Sequence, residues 1–170
     1  MKKEIATSSI EYQKLFHLFA GITSERIEGD YTIYEGKDRG TIVSFGNPAT
    51  IQSGIGNYTV DQDFAIEYNY DTRFLHFGIV YEGITYSLVD NKLVAHSIPS
   101  SFMSLEKMDN GVGVWRAGQH FQGIEFSISY DFLICHILPL FNKSEDDLDF
   151  LKVNFRYTNL LSDLTEILAK

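Results

Sequence analysis

Alternating apolar and polar positions run from residue 31 to residue 128 and predict a succession of short strands. Turn-forming residues interrupt the alternation at intervals of about eight to twelve residues, as in an all-β sandwich or barrel. We expect about nine or ten strands, and no proline-rich linker divides them. They should form one closed or nearly closed unit, because closure removes exposed strand edges. The expected turns are residues 36–40, Asp90-Asn91, Asp109-Asn110-Gly111 and Ala117-Gly118.

The face of each strand that points inward is predicted from which alternate set is more apolar. In "FLHFGIVYEG" that set contains Leu75, Phe77, Ile79 and Tyr81, and in "FQGIEFSIS" it contains Ile124, Phe126 and Ile128. In "SFMSLE" the expected inward pair is Met103 and Leu105. The residues predicted to line an interior ligand pocket are Tyr68, Phe77, Ile79, Tyr81, Met103, Trp115, Ile124 and Phe126.

Trp115, the single tryptophan, shares a strand face with Gly113. An aromatic side chain beside a glycine indicates an interior that is either tightly filled or partly open. Aromatic residues inside a small barrel are more often core than pocket wall, so a packed core is the more common outcome. A ligand pocket is the alternative interpretation.

Helical signals flank the strands. Ser8 followed by Glu11 has capping-box spacing, and the helix it begins should stop at Gly21. Ser129 is a predicted N-cap for a short helix that ends at Pro139. The chain is therefore divided into residues 1–128, a helix and a β-barrel, and residues 129–170, helices for dimerisation or for a link to another domain.

An apolar stripe with alternating three- and four-residue steps marks the C-terminal end and has the spacing of a heptad seam. It predicts a helix that either packs on the outside of the barrel or forms a subunit contact, and we expect a homodimer. The stripe consists of Phe150, Val153, Tyr157, Leu160, Leu164 and Ile167.

Charge and composition exclude several classes of protein. The net charge of -9 opposes nucleic-acid binding by this chain itself, since phosphate neutralisation requires basic side chains. No apolar run approaches a membrane span, and no apolar segment follows the N-terminal lysines as in a secretory signal. Cys135 is the single cysteine, which agrees with a reducing compartment. We expect a cytoplasmic protein that does not bind membranes.

No catalytic constellation emerges from the sequence. The five histidines lack H-x-H and H-E-x-x-H spacing, so no metal site is expected, and no cofactor motif occurs. "SGIGNY" lies outside a strand-to-helix context and is interpreted as a turn. Cys135 is expected to be buried as a small hydrophobic residue. We predict no catalytic residue and a protein that is not an enzyme.

The segment "GVWRAGQHFQGIEFSISYDFL", residues 113–133, resembles the end of the N-terminal barrel in AraC-family transcriptional regulators. There a strand, an "aGq" turn, a strand of the form "y-x-G-I-x-I-x-I" and a helix beginning "s-x-x-F-L" follow one another. Residues 39–68, "RGTIVSFGNPATIQSGIGNYTVDQDFAIEY", and residues 75–107, "LHFGIVYEGITYSLVDNKLVAHSIPSSFMSLEK", are similar to earlier strands of that barrel. The resemblance covers residues 36–138 and lies in the order of short motifs.

The resemblance implies a cupin-like barrel, a double-stranded β-helix, followed by C-terminal dimerisation helices. It implies a domain that binds a small-molecule effector, while DNA is bound by a helix-turn-helix domain that this chain does not contain. Gly118 would then close a hairpin that carries Trp115 and Phe126 along the barrel wall. The alternative is a small stand-alone cupin-type enzyme or small-molecule carrier.

Overall fold

A computed structural model describes residues 2–70, 72–89, 92–107 and 111–148. Within these ranges the chain forms twelve strands and few helices. The mainly β class is therefore confirmed, and ten of the strands lie between residues 31 and 129. The strands are β1 (Lys2–Ala6), β2 (Ser24–Glu28), β3 (Tyr31–Gly36), β4 (Gly40–Gly46), β5 (Ile51–Thr59), β6 (Phe64–Tyr68), β7 (Arg73–Glu82), β8 (Thr85–Val89), β9 (Lys92–Ser97), β10 (Ser100–Lys107), β11 (Gly111–Trp115) and β12 (His120–Ser129).

The strands form two sheets rather than one continuous ladder. The five-stranded sheet has the order β1-β6-β11-β8-β9, and the seven-stranded sheet has the order β10-β7-β12-β5-β4-β3-β2. Phe64 and Ile66 of the first sheet share one buried cluster with Tyr58, Val80 and Phe121 of the second sheet. The two sheets therefore face each other, which is the general arrangement of a jelly roll.

Helix α1 (Ser9–Ala20) closes one side of the space between the sheets. The Ser8 hydroxyl accepts a hydrogen bond from the Glu11 backbone N–H, and Gly21 forms the C-cap, so both predicted ends are confirmed. Phe16 from this helix packs against the buried cluster that both sheets share. The helix thereby becomes a third wall of the interior.

The turn at Ala117-Gly118 is confirmed, but it does not join two strands of one hairpin. Strand β11 pairs with β6 and β8, whereas β12 pairs with β5 and β7, so the chain changes sheets here. Gly118 has a φ of 77°, which favours glycine. Its N–H donates to the Val60 carbonyl at 2.8 Å, and the Ala117 N–H donates to the Asp63 carboxylate at 2.8 Å.

Helical turns follow β12 and pack as a second cluster. The Ser129 hydroxyl caps α2 (Tyr130–Phe132) by accepting from the Phe132 N–H, as predicted. A π-type turn (Leu133–Ile137) and two 3-10 turns (Leu138–Phe141 and Glu145–Leu148) come next, so Pro139 lies inside a turn rather than at the end of a regular helix. The second cluster contains Tyr130, Leu133, Leu138 and Leu148, with Leu75, Met103 and Ile128 packed against it.

Two local interpretations of the sequence are wrong. "SGIGNY" lies inside β5, where its glycines pair across the sheet, and is not a turn. Cys135 is exposed rather than buried, because Leu133 and Leu138 are the residues of these turns that pack in the second cluster. The predicted seam of Phe150, Val153, Tyr157, Leu160, Leu164 and Ile167 lies outside the described residues, so the dimerisation helices stay a prediction.

Candidate functional site

A cavity of about 350 Å³ lies between the two sheets and is closed on one side by α1. This volume is within the range of sites for small molecules. Aromatic rings from α1, from both sheets and from the segment after β6 dominate its walls. They are Tyr12, Phe16, Tyr58, Tyr68, Tyr70, Phe74, Tyr86, Trp115 and Phe121.

Trp115 is the centre of the wall formed by α1 and the five-stranded sheet. Its ring stacks on Phe64 with centroids 4.8 Å apart and lies 5.5 Å from Phe16 and 6.2 Å from Tyr12. A Cβ placed on Gly113 would lie 2.6 Å from the Trp115 ring. The ring therefore occupies the space that the missing side chain of Gly113 leaves.

The structure brings two of the eight predicted pocket residues to the cavity, Tyr68 and Trp115. Whether either residue binds a ligand stays a prediction. The cavity side of β7 carries Phe74 and His76, and that of β12 carries Phe121 and Glu125. The predicted inward faces of both strands are therefore wrong.

The other six predicted residues lie on the outer face of the seven-stranded sheet or pack outside the cavity. Phe77 stacks on Phe126 with centroids 5.2 Å apart, and Phe126 is 37% exposed while Tyr81 is 56% exposed. Ile79 and Ile124 are cross-strand partners and share this face by alternation. Met103 pairs with Phe77 and packs against the turns after β12. The apolar set points outward because the polar set faces a cavity instead of a dry core.

A polar centre lies on the cavity side of the seven-stranded sheet. Cross-strand pairing aligns five residues of neighbouring strands in one row: Ser44, Gly54, Glu125, Gly78 and Phe102. Glu125 thus stands between two glycines, one on each neighbouring strand. Space beside the carboxylate lies on the Gly54 side, where the nearest atom to a Cβ would be the Val43 carbonyl oxygen at 4.0 Å.

The next row places Gln52, Ser127 and His76 across the same strands. The Gln52 side-chain amide donates to the Ser44 hydroxyl at 2.9 Å. His76 Nε2 lies 3.7 Å from Glu125 Oε2, and the His76 side chain is 15% exposed. The wall formed by the seven-stranded sheet therefore carries the charged and polar groups beside its own rings of Tyr58, Phe74 and Phe121, and the wall formed by α1 and the five-stranded sheet is mainly aromatic.

Burial and electrostatics set the protonation of two groups in the cavity wall. Burial, and then the nearby Glu125 carboxylate, raise the pKa of the Tyr58 hydroxyl well above its ordinary value, so this hydroxyl stays protonated. Burial lowers the pKa of the His17 imidazole to about 4, so His17 is neutral at pH 7. Its ring packs 4.0 Å from that of Tyr34.

The described residues offer few candidate metal ligands. Within them, no three His, Cys, Asp or Glu side chains come together in a group that could hold a metal ion. In the cavity, His76 and Glu125 provide two donors that lie close together, 3.7 Å apart. In the same part of the chain, no helix has the length and apolarity needed to cross a membrane.

The sequence did not predict that the cavity wall contains Glu125, His76 and the rings of Tyr12, Phe16 and Tyr58. A usable signal was the glycine pattern: Gly54 and Gly56 alternate along β5, and Gly123 lies opposite Gly56 on β12. Glycines at alternate positions of neighbouring strands leave one face without side chains. That face is the one on which a cavity can open.

Comparison with known proteins gave no match to a protein-family model and no match among curated protein sequences. Solved structures with similarity to this chain include the EutQ protein of Clostridium difficile, with 10% identity, 68% of this chain and 79% of that chain covered, and a TM-score of 0.38. Hydroxypropylphosphonic acid epoxidase from S. wedmorenis has 9% identity, coverage of 72% and 75%, and a TM-score of 0.40. KdgF from Halomonas sp. has 11% identity, coverage of 66% and 99%, and a TM-score of 0.33.

The expectation that the chain is not an enzyme is wrong. The similar solved structures include hydroxypropylphosphonic acid epoxidase, an enzyme. Enzymes therefore stay among the candidate functions.

Proposed function

We propose that this chain is a small-molecule-binding domain of the cupin-like type and that its ligand binds in the cavity between the two sheets. The observation that carries the proposal is the cavity itself, about 350 Å³ in volume, with aromatic rings from both sheets and a polar group of Glu125 and His76 on one side. Ligand sites typically combine a mostly apolar lining with a few convergent polar groups. Two facing sheets around such a space fit the jelly-roll architecture that cupins share.

A cavity-filling variant tests this proposal. Gly54 faces the cavity, and the nearest atom to a Cβ at this position is the Val43 carbonyl oxygen at 4.0 Å. Gly54→Val should therefore fold and occupy ligand space. We expect small molecules that raise the melting temperature of the wild-type chain to lose that effect in the variant.

Ile55→Val is the matched control, because Ile55 is the next residue on β5 and points to the outer face, where it is 43% exposed. This variant should keep the thermal shift. Ligands that stabilise Gly54→Val as well as the wild type would place binding outside the cavity and contradict the proposal.

The biological role that we propose for this domain is effector sensing and dimerisation in an AraC-type transcription regulator. It is supported by the order of the motifs in residues 36–138, and by a cavity next to α1 that a ligand can contact. Such a regulator acts in the cytoplasm, as a homodimer, and binds DNA through a further domain. The reading frame of the gene beyond codon 170 tests this role: a basic, helical continuation supports it, and a stop codon contradicts it.

A second candidate function is an enzyme that acts on the ligand of the same cavity. The 3.7 Å separation of His76 Nε2 and Glu125 Oε2 favours it, because a histidine and a carboxylate side by side in a cavity can exchange protons with a bound molecule. His76→Gln discriminates the two candidates once a ligand is known. An enzyme should lose turnover with binding retained, whereas a sensor has no turnover to lose.

A further inference from the structure

We propose that the cavity selects a small organic cation with an apolar or aromatic body over neutral and anionic molecules of the same shape. This inference rests on the proposed ligand-binding function. It follows from three properties of the described cavity wall: its charge, the open space beside its carboxylate and the aromatic rings opposite.

The charged side chains of the described wall favour a cation. Glu125 is the single carboxylate among the described lining residues, and those residues include no lysine or arginine. An anionic ligand would thus be desolvated beside a carboxylate with neither lysine nor arginine among the described lining residues to compensate, which is unfavourable. A cation would instead form a charge-assisted hydrogen bond with Glu125.

The space beside Glu125 admits a ligand group. The cross-strand neighbour of Glu125 on β5 is Gly54, and the nearest atom to a Cβ placed there is the Val43 carbonyl oxygen at 4.0 Å, so this side of the carboxylate is open. The 3.7 Å distance to His76 is longer than a hydrogen bond, which leaves acceptor capacity on the carboxylate. An ammonium group can therefore approach Glu125 from the cavity.

The opposite wall suits the rest of such a ligand. Tyr12 and Phe16 project from α1, and Tyr68 and Trp115 project from the five-stranded sheet. The Tyr12 ring lies 5.9 Å from that of Tyr68 and 6.2 Å from that of Trp115. Aromatic faces attract cations and pack against planar apolar groups. The two walls together thus recognise both parts of one amphipathic cation.

Three probes of matched shape test the selectivity: phenethylamine, 2-phenylethanol and phenylacetate, which are cationic, neutral and anionic at pH 7. Isothermal titration calorimetry on the full chain measures binding. We expect phenethylamine to bind at least about tenfold more tightly than 2-phenylethanol, with phenylacetate weakest. Glu125→Gln should reduce phenethylamine affinity about tenfold or more and leave that of 2-phenylethanol unchanged.

Glu35→Gln is the control variant, because it removes the same charge from an exposed position on β3 and should leave all three affinities unchanged. Equal affinity of the wild type for the three probes, no binding of any probe, or an unchanged preference in Glu125→Gln would overturn the cation proposal. The wild-type series alone decides the matter if Glu125→Gln does not fold. The proposed function fails separately, when Gly54→Val leaves ligand binding unaffected.

Discussion

The burial and polarity of individual side chains in this protein depend on whether they face the cavity or a packed core. Trp115 fills the space over Gly113 and is almost completely buried, whereas Glu125 retains a side chain that is 35% exposed. Both residues face the same interior. The interior therefore has a buried aromatic region around Trp115 and a partly exposed polar region around Glu125.

The stability of the protein should decrease below neutral pH because of His17. Burial lowers the pKa of this imidazole from 6.5 to about 4, so the unfolded chain binds more protons than the folded chain between these values. The contribution of neutral His17 to stability is present above pH 6.5 and is lost as the pH falls toward 4. Urea unfolding at pH 7 and pH 5 should show a lower free energy of unfolding at pH 5.

His17→Gln identifies the residue responsible, because glutamine cannot titrate. We expect the difference between pH 7 and pH 5 to be smaller in this variant than in the wild type. The same difference in both proteins would assign the pH dependence to other groups. The lowered carboxyl pKa values of Glu11 and Asp63 act mainly below this window.

At the scale of elements, the sequence identified the ends of helices and turns better than the faces of strands. Local patterns correctly predicted N-caps at Ser8 and Ser129, a C-cap at Gly21 and a turn at Gly118. Capping and positive φ depend on residues that are close in sequence. Strand faces depend on what lies across the sheet. In β12 the apolar set faces outward, since the polar set that contains Glu125 lines the cavity.

The turn between β3 and β4 should depend on Gly40. This residue has a φ of 106°, and a Cβ on it would collide with the Asn57 carbonyl oxygen. Gly40→Ala should therefore lower the free energy of unfolding by roughly 1–3 kcal/mol or more. Chemical denaturation monitored by Trp115 fluorescence measures the change.

Gly54→Ala is the matched comparison, because Gly54 has neither a positive φ nor a close atom around its missing Cβ. Alanine there should leave stability unchanged or raise it by about 0.5–1 kcal/mol, since glycine weakens a strand interior. Equal losses in both variants would show that the backbone at Gly40 relaxes and that its geometry is not required.

The molecule as a whole has an exposed apolar outer face. On the seven-stranded sheet, Ile51, Ile55 and Phe126 are 39%, 43% and 37% exposed, while the turns after β12 pack beside them on Leu75 and Ile128. Exposed apolar surface of this kind typically marks a contact. The chain thus has two candidate surfaces for association, this face and the predicted seam in residues 150–167.

We predict a homodimer whose contact runs through the C-terminal seam. Its three- and four-residue steps suit helix pairing, but the seam spans only about two and a half heptads, so it needs support from the β domain to associate. Leu160→Glu with Leu164→Glu should give a folded monomer by light scattering, with unchanged β-sheet circular dichroism. Ile55→Lys, a single charge on the outer face, should leave the dimer intact. A dimer that survives the first change and dissociates with the second would move the interface to the sheet, and unfolding by the first change would show that the seam packs within its own chain.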